Sequence, residues 1–258
     1  MKINIKNISF SYNSSLVLND ISMTVEKGEF VCILGPNGSG KSTLMKCINN
    51  ILKVKKGCIY IDETETGKLS QTEIAKKIGY VPQASNGKLS SSVFEMVILG
   101  RRPYINWKLR EKDKEIAMEA IRLMGIEKLA FRDFNRLSGG EQQKVIITRA
   151  LAQEPSVLLI DEPTNNLDLK HQLEVLSLIS GIKKEKKIAV LMAIHDLNHA
   201  ARHADKVIMM KNGKIYFAGK PNDVLNSENI REIFEVDVLI NEISGITQIV
   251  TMNAINNA

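Results

Sequence analysis

The chain lacks any long apolar run. No stretch approaches the roughly 18 apolar residues that a membrane-spanning helix needs. The first ten residues alternate between polar and apolar side chains and do not form the apolar centre of a signal peptide. We therefore expect a chain that neither spans a membrane nor is exported.

Cysteine is scarce. The three cysteines, Cys32, Cys47 and Cys58, are an odd number and form no C-x-x-C pair. These features argue against a disulfide framework and favour a reducing, cytosolic compartment. We interpret all three as small buried apolar side chains. The sequence also has no internal repeat and no low-complexity tract.

The composition is that of an ordinary globular domain. The chain has 258 residues, of which 44% are hydrophobic and 25% are charged, which is enough to bury a full core without a metal or disulfide. Lys and Arg (35) exceed Asp and Glu (29), for a net charge of +6. This excess permits an anionic partner, whether nucleotide, nucleic acid or lipid headgroup, and selects none of them.

Hydrophobic patterns predict an α/β fold. Residues 21–25 alternate like a half-exposed strand, 29–34 read as a buried strand, and helical spacing begins after Gly40. Two more buried strands, 157–160 and 188–193, flank a helix and suggest a mixed or parallel sheet. The remaining predicted elements are helices at 72–77, 93–99, 112–124, 140–152 and 170–182, a strand at 78–82, a hairpin turning at Asn212-Gly213, a helix around Ile230 and a β-like tail.

A glycine-rich segment follows the buried strand 29–34. It matches G-x-x-x-x-G-K-[ST], in which backbone N–H groups and the positive end of the next helix converge on phosphate oxygens. The lysine neutralises charge on the β- and γ-phosphates and the following serine hydroxyl is a Mg²⁺ ligand. The predicted nucleotide-binding residues are Gly35, Pro36, Asn37, Gly38, Ser39, Gly40, Lys41, Ser42 and Thr43.

Two carboxylates cap the buried strand 157–160. Asp161 at a strand end suits a Mg²⁺ shell, and Glu162 can accept the proton of an attacking water. The alternative is a pair of solvated acids.

A second potential anion site opens the helix at 140–152. In the segment Leu137-Ser138-Gly139-Gly140-Glu141-Gln142-Gln143, the Ser138 hydroxyl and the first helical N–H groups could face a phosphate. Together these motifs, in this order, resemble the ATP-binding-cassette (ABC) ATPases over nearly the whole chain.

The resemblance implies a fold. It is an α/β P-loop NTPase cassette with a mixed sheet core, an antiparallel N-terminal β region and an inserted helical lobe that carries the signature motif Ser138-Gly139-Gly140. We expect one domain over 1–258, with the lobe at about 84–153 and a C-terminal extension at 236–258.

The resemblance also implies roles for single residues. Tyr12 resembles the aromatic residue that stacks on adenine, with a packed strand-edge tyrosine as the alternative. Gln83 resembles the glutamine that touches Mg²⁺ and water and lies where a membrane partner docks. Asp168, in Thr164-Asn165-Asn166-Leu167-Asp168, resembles the acid through which two cassettes contact each other, and His195 the histidine that bonds the γ-phosphate.

Two positions depart from the family pattern, and one spacing invites a different interpretation. Glu141 stands where glutamine is common, which adds negative charge near the signature, and Asn165 stands where serine is frequent. His195, His199 and His203 are spaced four apart, but no acid or cysteine cluster supports a metal face.

The resemblance implies partners as well. The family pairs two cassettes head to tail, each signature covering the other's ATP, so one cassette per chain implies a homodimer with Mg²⁺-ATP. We expect polytopic permease subunits, indirectly an extracellular or periplasmic substrate-binding protein, and no nucleic acid. The expected location is the cytoplasmic face of the cell membrane, through the permease.

The transported substrate is suggested by one further segment. Gly100-Arg101-Arg102-Pro103-Tyr104 resembles a stretch of cassettes that serve iron-siderophore, haem and cobalamin importers, although these residues could simply cap a helix and solvate a loop. Trp107 could pack on the permease or within the lobe. A soluble cassette, such as one in iron-sulfur cluster assembly, and a separate-chain exporter remain alternatives.

Overall fold

The computed structural model describes residues 2–83, 91–165, 167–243 and 246–255. The chain divides into a first unit, Met1–Lys68 with Ala189–Ala258, and a second unit, Leu69–Ile188. The seven residues 84–90 of the predicted lobe, Asn166, and 244–245 and 256–258 of the predicted extension lie outside the described residues. The predicted boundaries 84–153 and 236–258 stay predictions.

An antiparallel sheet opens the first unit. Its strand order is β2-β1-β4-β5, and Ile3, Ile5 and Ile8 of the first strand are buried while their neighbours are more exposed. The alternation predicted at 21–25 forms the end of β2. The strands are β1 (Ile3–Tyr12), β2 (Ser15–Val25), β4 (Lys56–Ile61) and β5 (Thr64–Glu65).

A mixed set of strands forms the rest of the first unit's core, in the order β10-β9-β3-β8. The strands are β3 (Phe30–Leu34), β8 (Ala189–Ala193), β9 (Lys206–Lys211) and β10 (Lys214–Gly219). β3 runs parallel to β8 and β9, and β10 returns antiparallel to β9. Asn212 and Gly213 have φ of 50° and 73°, as the predicted type I′ turn requires.

Helices α1 (Lys41–Ile48) and α7 (Leu197–His203) follow β3 and β8. Because β3 and β8 are parallel neighbours, the segments that leave their carboxyl ends emerge at the same edge. The glycine-rich segment and His195 therefore belong to one edge of the first unit.

The tail of the chain is a hairpin attached to α7. Helices α8 (Pro221–Val224) and α9 (Ser227–Phe234) lead into β11 (Val236–Ile243) and β12 (Ile246–Ala254). The Asn198 side chain accepts a hydrogen bond from Ile249 N at 2.7 Å and donates to Ile249 O at 3.1 Å. The β-like tail predicted from alternation is thus a β-hairpin.

The second unit contains one parallel strand pair and most of the helices. β6 (Ile78–Val81) pairs with β7 (Val157–Asp161). The helices are α2 (Gln71–Ala75), α3 (Val93–Ile98), α4 (Glu111–Leu123), α5 (Gly139–Leu151) and α6 (Leu169–Lys186). Three of them begin with the same capping box, formed by Ser70 with Glu73, Ser92 with Glu95 and Ser138 with Glu141.

Arg101 is buried inside the second unit. Its side chain is 5% exposed, its Nη1 donates to Ala152 O at 2.7 Å and to Glu154 at 2.8 Å, and its Nε donates to Asp113 at 3.1 Å. The guanidinium carbon lies 4.1 Å from the centre of the Tyr104 ring. Arg101 therefore ties the turn Leu99–Tyr104 to α4 and caps the end of α5 through the Ala152 carbonyl, so it does not solvate a loop.

Two of the three cysteines are buried as predicted. Cys32 and Cys47 are buried, whereas Cys58 is half-buried. Cys58 is the third residue of β4 and follows two exposed residues. Burial raises the pKa of Cys47 to about 12, which leaves its thiol protonated and unreactive.

None of the helices in the described part of the chain is long and apolar enough to cross a membrane.

Candidate functional site

The glycine-rich segment between β3 and α1 is shaped by close backbone contacts. Gly35 has φ of 154°, and a Cβ there would lie 2.1 Å from the carbonyl oxygen of Met210. Gly40 has φ of 101°, and a Cβ there would lie 2.8 Å from Leu18 Cδ2. Only glycine fits these two positions, because any side chain meets backbone or core atoms.

Lys41 bridges the turn of this phosphate loop, 35–42. Its side chain is buried, and its Nζ donates to Gly35 O at 2.8 Å and to Pro36 O at 3.1 Å. The ammonium group is thereby held at the base of the loop, while Asn37 and Gly38 at its tip are exposed. A buried cation at the start of a helix that follows a glycine-rich turn is suited to a polyphosphate.

Ser39 carries an unsatisfied polar atom. Its Oγ is buried and, among the described residues, has no hydrogen-bond partner. An orphaned buried hydroxyl costs free energy unless a ligand or water pairs with it. Its position inside the loop, next to Gly40, therefore favours a polar ligand there. Ser42 and Thr43 lie in the first turn of α1, which begins at Lys41.

Tyr12 and His195 belong to the same unit as the loop. Tyr12 ends β1 and is exposed, with its ring edge-on to Phe10 at 4.9 Å between centroids. That exposed ring can stack on a base, as the resemblance implies. His195 is half-buried two residues beyond the end of β8.

The second unit brings Gln83 and Glu162 together from distant parts of the chain. Glu162 is buried and follows β7 immediately, and Gln83 follows the neighbouring parallel strand β6. Gln83 Nε2 donates to Glu162 Oε2 at 2.6 Å, and Asn165 Nδ2 donates to the same oxygen. Two amides thus orient one carboxylate.

Glu162 also has an unusual backbone. Its φ of 51° lies in the left-handed region, which is uncommon for residues other than glycine and asparagine and often occurs at functional sites. Asp161, the last residue of β7, is buried beside it. The strained turn and the two amide donors fix where the Glu162 carboxylate points, as a positioned general base requires.

Ser138, Gly139 and Gly140 form the beginning of α5. Glu141 Oε2 accepts hydrogen bonds from Ser138 N at 2.8 Å and from Ser138 Oγ at 2.9 Å. These bonds, from the backbone first and then the hydroxyl, hold the pKa of Glu141 below its ordinary value. The predicted anion-facing hydroxyl is therefore engaged by the carboxylate that stands where the family commonly has glutamine.

Asp168 caps α6 and contacts His171. Asp168 Oδ1 accepts from His171 N at 2.9 Å and lies 2.8 Å from His171 Nδ1. These bonds from His171 lower the pKa of Asp168. The sequence had singled out Asp168 and missed His171 and the contact of Asn165, although the spacing Asp-x-x-His at a helix start was visible.

The residues assigned to Mg²⁺ fit that ion by donor chemistry. Ser42 offers a hydroxyl, Asp161 a carboxylate and Gln83 an amide carbonyl, all oxygen ligands that Mg²⁺ prefers. Across the described ranges, no group of three or more His, Cys, Asp or Glu side chains could hold a metal ion.

Comparison with known proteins gives a family. The ABC transporter family profile matches residues 18–165. An uncharacterized ABC transporter ATP-binding protein of Methanocaldococcus jannaschii is 50% identical over 97% of this chain and 98% of its own length. The iron(3+)-hydroxamate import ATP-binding protein FhuC of Bacillus subtilis is 35% identical over 90% of this chain and 87% of its own.

Comparison with solved structures gives the same family. An inward-facing metal-chelate type ABC transporter matches with a TM-score of 0.86 and 29% identity, over 97% of both chains. A dimeric ATP-binding cassette in a post-hydrolysis state, bound to ADP and phosphate, matches with a TM-score of 0.75 and 32% identity, over 85% of this chain and 98% of that one. The predicted fold class, a P-loop NTPase cassette with a mixed sheet and an antiparallel N-terminal region, is confirmed. The chain belongs to the ABC transporter family, as one of its ATP-hydrolysing subunits.

Proposed function

We propose that the chain energises an ABC importer whose cargo is an iron chelate such as a siderophore, with haem and cobalamin as the next candidates. The observation that carries this proposal is the 35% identity, over 90% of the chain, to an iron(3+)-hydroxamate import subunit. The segment Gly100-Arg101-Arg102-Pro103-Tyr104 supports it through its resemblance to such cassettes.

In this function the phosphate loop binds ATP. The loop N–H groups and the Lys41 ammonium hold the phosphates, and Tyr12 stacks on the adenine. Ser42, Asp161 and Gln83 would hold Mg²⁺, which would supply positive charge to offset that of the phosphates. His195 donates a hydrogen bond to the γ-phosphate.

Hydrolysis is the task of Glu162. Its carboxylate, oriented by Gln83 and Asn165, accepts a proton from the water that attacks the γ-phosphorus in line with the departing ADP oxygen. The bond from the γ-phosphorus to the β–γ bridging oxygen breaks, and the products are ADP and phosphate.

Two copies act together. Ser138, Gly139 and Gly140 of one copy cover the ATP of the other, and Asp168 lies in the same interface, so that ATP closes the dimer and hydrolysis opens it. A two-fold dimer makes both sites equivalent. The opening and closing act on permease subunits at the cytoplasmic face of the cell membrane, which receive cargo from an external binding protein.

Trp107 is our candidate for an anchor on the permease. Its side chain is 97% exposed, which argues against a role in packing the unit that contains it. Exposed tryptophans are frequent energetic centres of protein interfaces.

The test is recovery of the tagged chain from detergent-solubilised native membranes, with mass spectrometry of its partners. We expect a polytopic permease to co-purify, and the permease then allows uptake of iron chelates, haem and cobalamin to be compared. Recovery with soluble scaffold proteins alone would replace the importer by a soluble cassette, and export of a cargo would replace it by an exporter.

A variant pair sharpens this test. Trp107→Ala is expected to reduce permease recovery about tenfold or more, the effect of losing an interface anchor, without lowering the ATPase rate of the isolated chain. Phe131→Ala is the matched control, because Phe131 is another exposed aromatic residue in the same unit, at 84% exposure. Equal recovery of both variants would remove Trp107 from the proposed interface.

A further inference from the structure

The first turns of α5 and α6 meet at the side chain of His171. Gly140 is the second residue of α5, and His171 is the third residue of α6. A Cβ built on Gly140 would lie 2.7 Å from both Cγ and Cδ2 of the His171 ring. The imidazole therefore packs directly on the Gly140 backbone, with no room for a methyl group between them.

The same ring holds Asp168. Its Nδ1 lies 2.8 Å from Asp168 Oδ1, and with the proton on Nδ1 it donates to that carboxylate. Capping of α6 alone requires only the His171 backbone N–H, which donates to the same oxygen at 2.9 Å. The imidazole is thus an addition to the cap, and it touches the signature helix as well.

A second tie lies one turn further along the two helices. Lys144 of α5 and Glu174 of α6 form an ion pair at 2.6 Å, with the Lys144 side chain mostly buried. Lys144 lies four residues after Gly140, and Glu174 lies three residues after His171. The beginnings of α5 and α6 are therefore joined at two successive levels.

We propose that His171 is a positioning residue that sets the distance between Asp168 and the Ser138–Gly140 segment. With that distance fixed, one subunit presents both elements to the other subunit as a single surface. This inference rests on the proposed head-to-tail dimer. The role is indirect, since His171 acts through Asp168 and Gly140 and needs no contact with ATP.

The test uses the full chain carrying Glu162→Gln, which is expected to trap the ATP-bound dimer. Dimerisation with ATP is measured by analytical ultracentrifugation, and ATP binding to the monomer by calorimetry. His171→Phe keeps a ring against Gly140 and loses the bond to Asp168, whereas His171→Asn keeps a side-chain donor and loses the ring. Lys184→Ala, at an exposed position further along α6, is the control.

We expect both His171 variants to weaken the dimer about tenfold, the effect of losing one packing contact or hydrogen bond. ATP binding to the monomer and the thermal midpoint are expected to match those of Lys184→Ala. In the chain with Glu162 intact, kcat is expected to fall while KM stays within about twofold, a split that a purely structural role would not produce.

The outcomes separate the two proposals. A Glu162→Gln chain that binds ATP and stays monomeric overturns the proposed dimer and this inference with it. A dimer that forms equally well with either His171 variant overturns this inference alone. If the His171→Phe chain dimerises like the control, the hydrogen bond to Asp168 has no role. If the His171→Asn chain does so, the contact of the ring with Gly140 has no role. Either result contradicts the proposed positioning role of His171. A variant that does not fold leaves the decision to the other one.

Discussion

The phosphate loop, 35–42, and the beginning of α5 are both assigned to phosphate, but they are built differently. The loop is shaped by its backbone, because Gly35 and Gly40 lie against main-chain and core atoms that exclude any side chain. The beginning of α5 is shaped by side chains, since Ser138 and Glu141 cap each other and His171 packs against Gly140.

Their helix caps differ in the same way. Gly40 precedes α1 with a left-handed backbone and no side-chain cap, whereas the Ser138 hydroxyl accepts from the N–H of Glu141 in α5. A phosphate at α1 meets N–H groups that no capping side chain covers, whereas one at α5 competes with a carboxylate. We therefore expect the beginning of α1 to bind an anion more tightly than the beginning of α5.

Glycine-to-alanine changes give the largest expected contrast. Gly35→Ala should destabilise the fold by at least about 1 to 3 kcal/mol, the range for overpacking a filled interior, because its Cβ would meet the Met210 carbonyl. ATP binding by calorimetry should be lost. At Gly139 nothing lies within 4 Å of an added Cβ, so Gly139→Ala should keep the thermal midpoint and monomer ATP binding. An unchanged Gly35→Ala chain would contradict the backbone-built loop.

The next effect separates binding from turnover. Lys41→Ala should lose most ATP affinity, because a buried ammonium that pairs with phosphate is removed. Glu162→Gln should keep ATP affinity and slow turnover by about 10² to 10⁴, the contribution of a general base. Calorimetry and phosphate release measure the two quantities, with Glu185→Gln, an exposed acid on α6, as the control. Near-normal turnover of Glu162→Gln would contradict its role.

The smallest effect concerns the carboxylate at the beginning of α5. Glu141→Gln removes a charge beside Ser138, and we expect the ATP-dependent dimer to tighten about two- to fivefold, the scale of one exposed charge pair. Glu95→Gln is the matched control, because Glu95 forms the same capping box in α3 with distances of 2.7 and 2.8 Å. Equal dimer affinity in both variants would show that the charge at 141 does not act on the interface.

The same pair of variants carries a pH prediction. Hydrogen bonds from Ser138 keep the folded-state pKa of Glu141 below its ordinary value of 4.5. A lowered folded-state pKa stabilises the fold above pH 4.5, and this stabilisation disappears as the pH falls through the lowered value. The thermal midpoint of Glu141→Gln should therefore depend less on pH below about 4.5 than that of the unaltered chain, and Glu95→Gln should behave alike, since Ser92 lowers the pKa of Glu95.

The sequence alone singled out most of the residues in these two regions. The loop, Asp161, Glu162 and the beginning of α5 were found because each combines a local motif with a change from strand to helix spacing. Most helix ends agreed within a residue or two, as for 112–124 against Glu111–Leu123, since capping signals are local. The predicted end at 182 was wrong by four residues, because α6 continues to Lys186.

What the sequence did not reveal depends on contacts between distant residues. Arg101 looked like a loop cation and is buried against Asp113 and Ala152. Glu162 accepts hydrogen bonds from the side chains of Gln83 and Asn165, and the ring of His171 packs against Gly140. Periodicity reports which face of an element is buried, but it does not report which side chains meet there.

The exposed position of Trp107 has a practical consequence. It is the only tryptophan in the chain, so all indole fluorescence of the unlabelled protein comes from one site in contact with water. Emission of an indole moves to shorter wavelengths when water is removed from it. Association with any partner that covers Trp107 can therefore be followed in real time, without a dye, as a shift of the emission maximum.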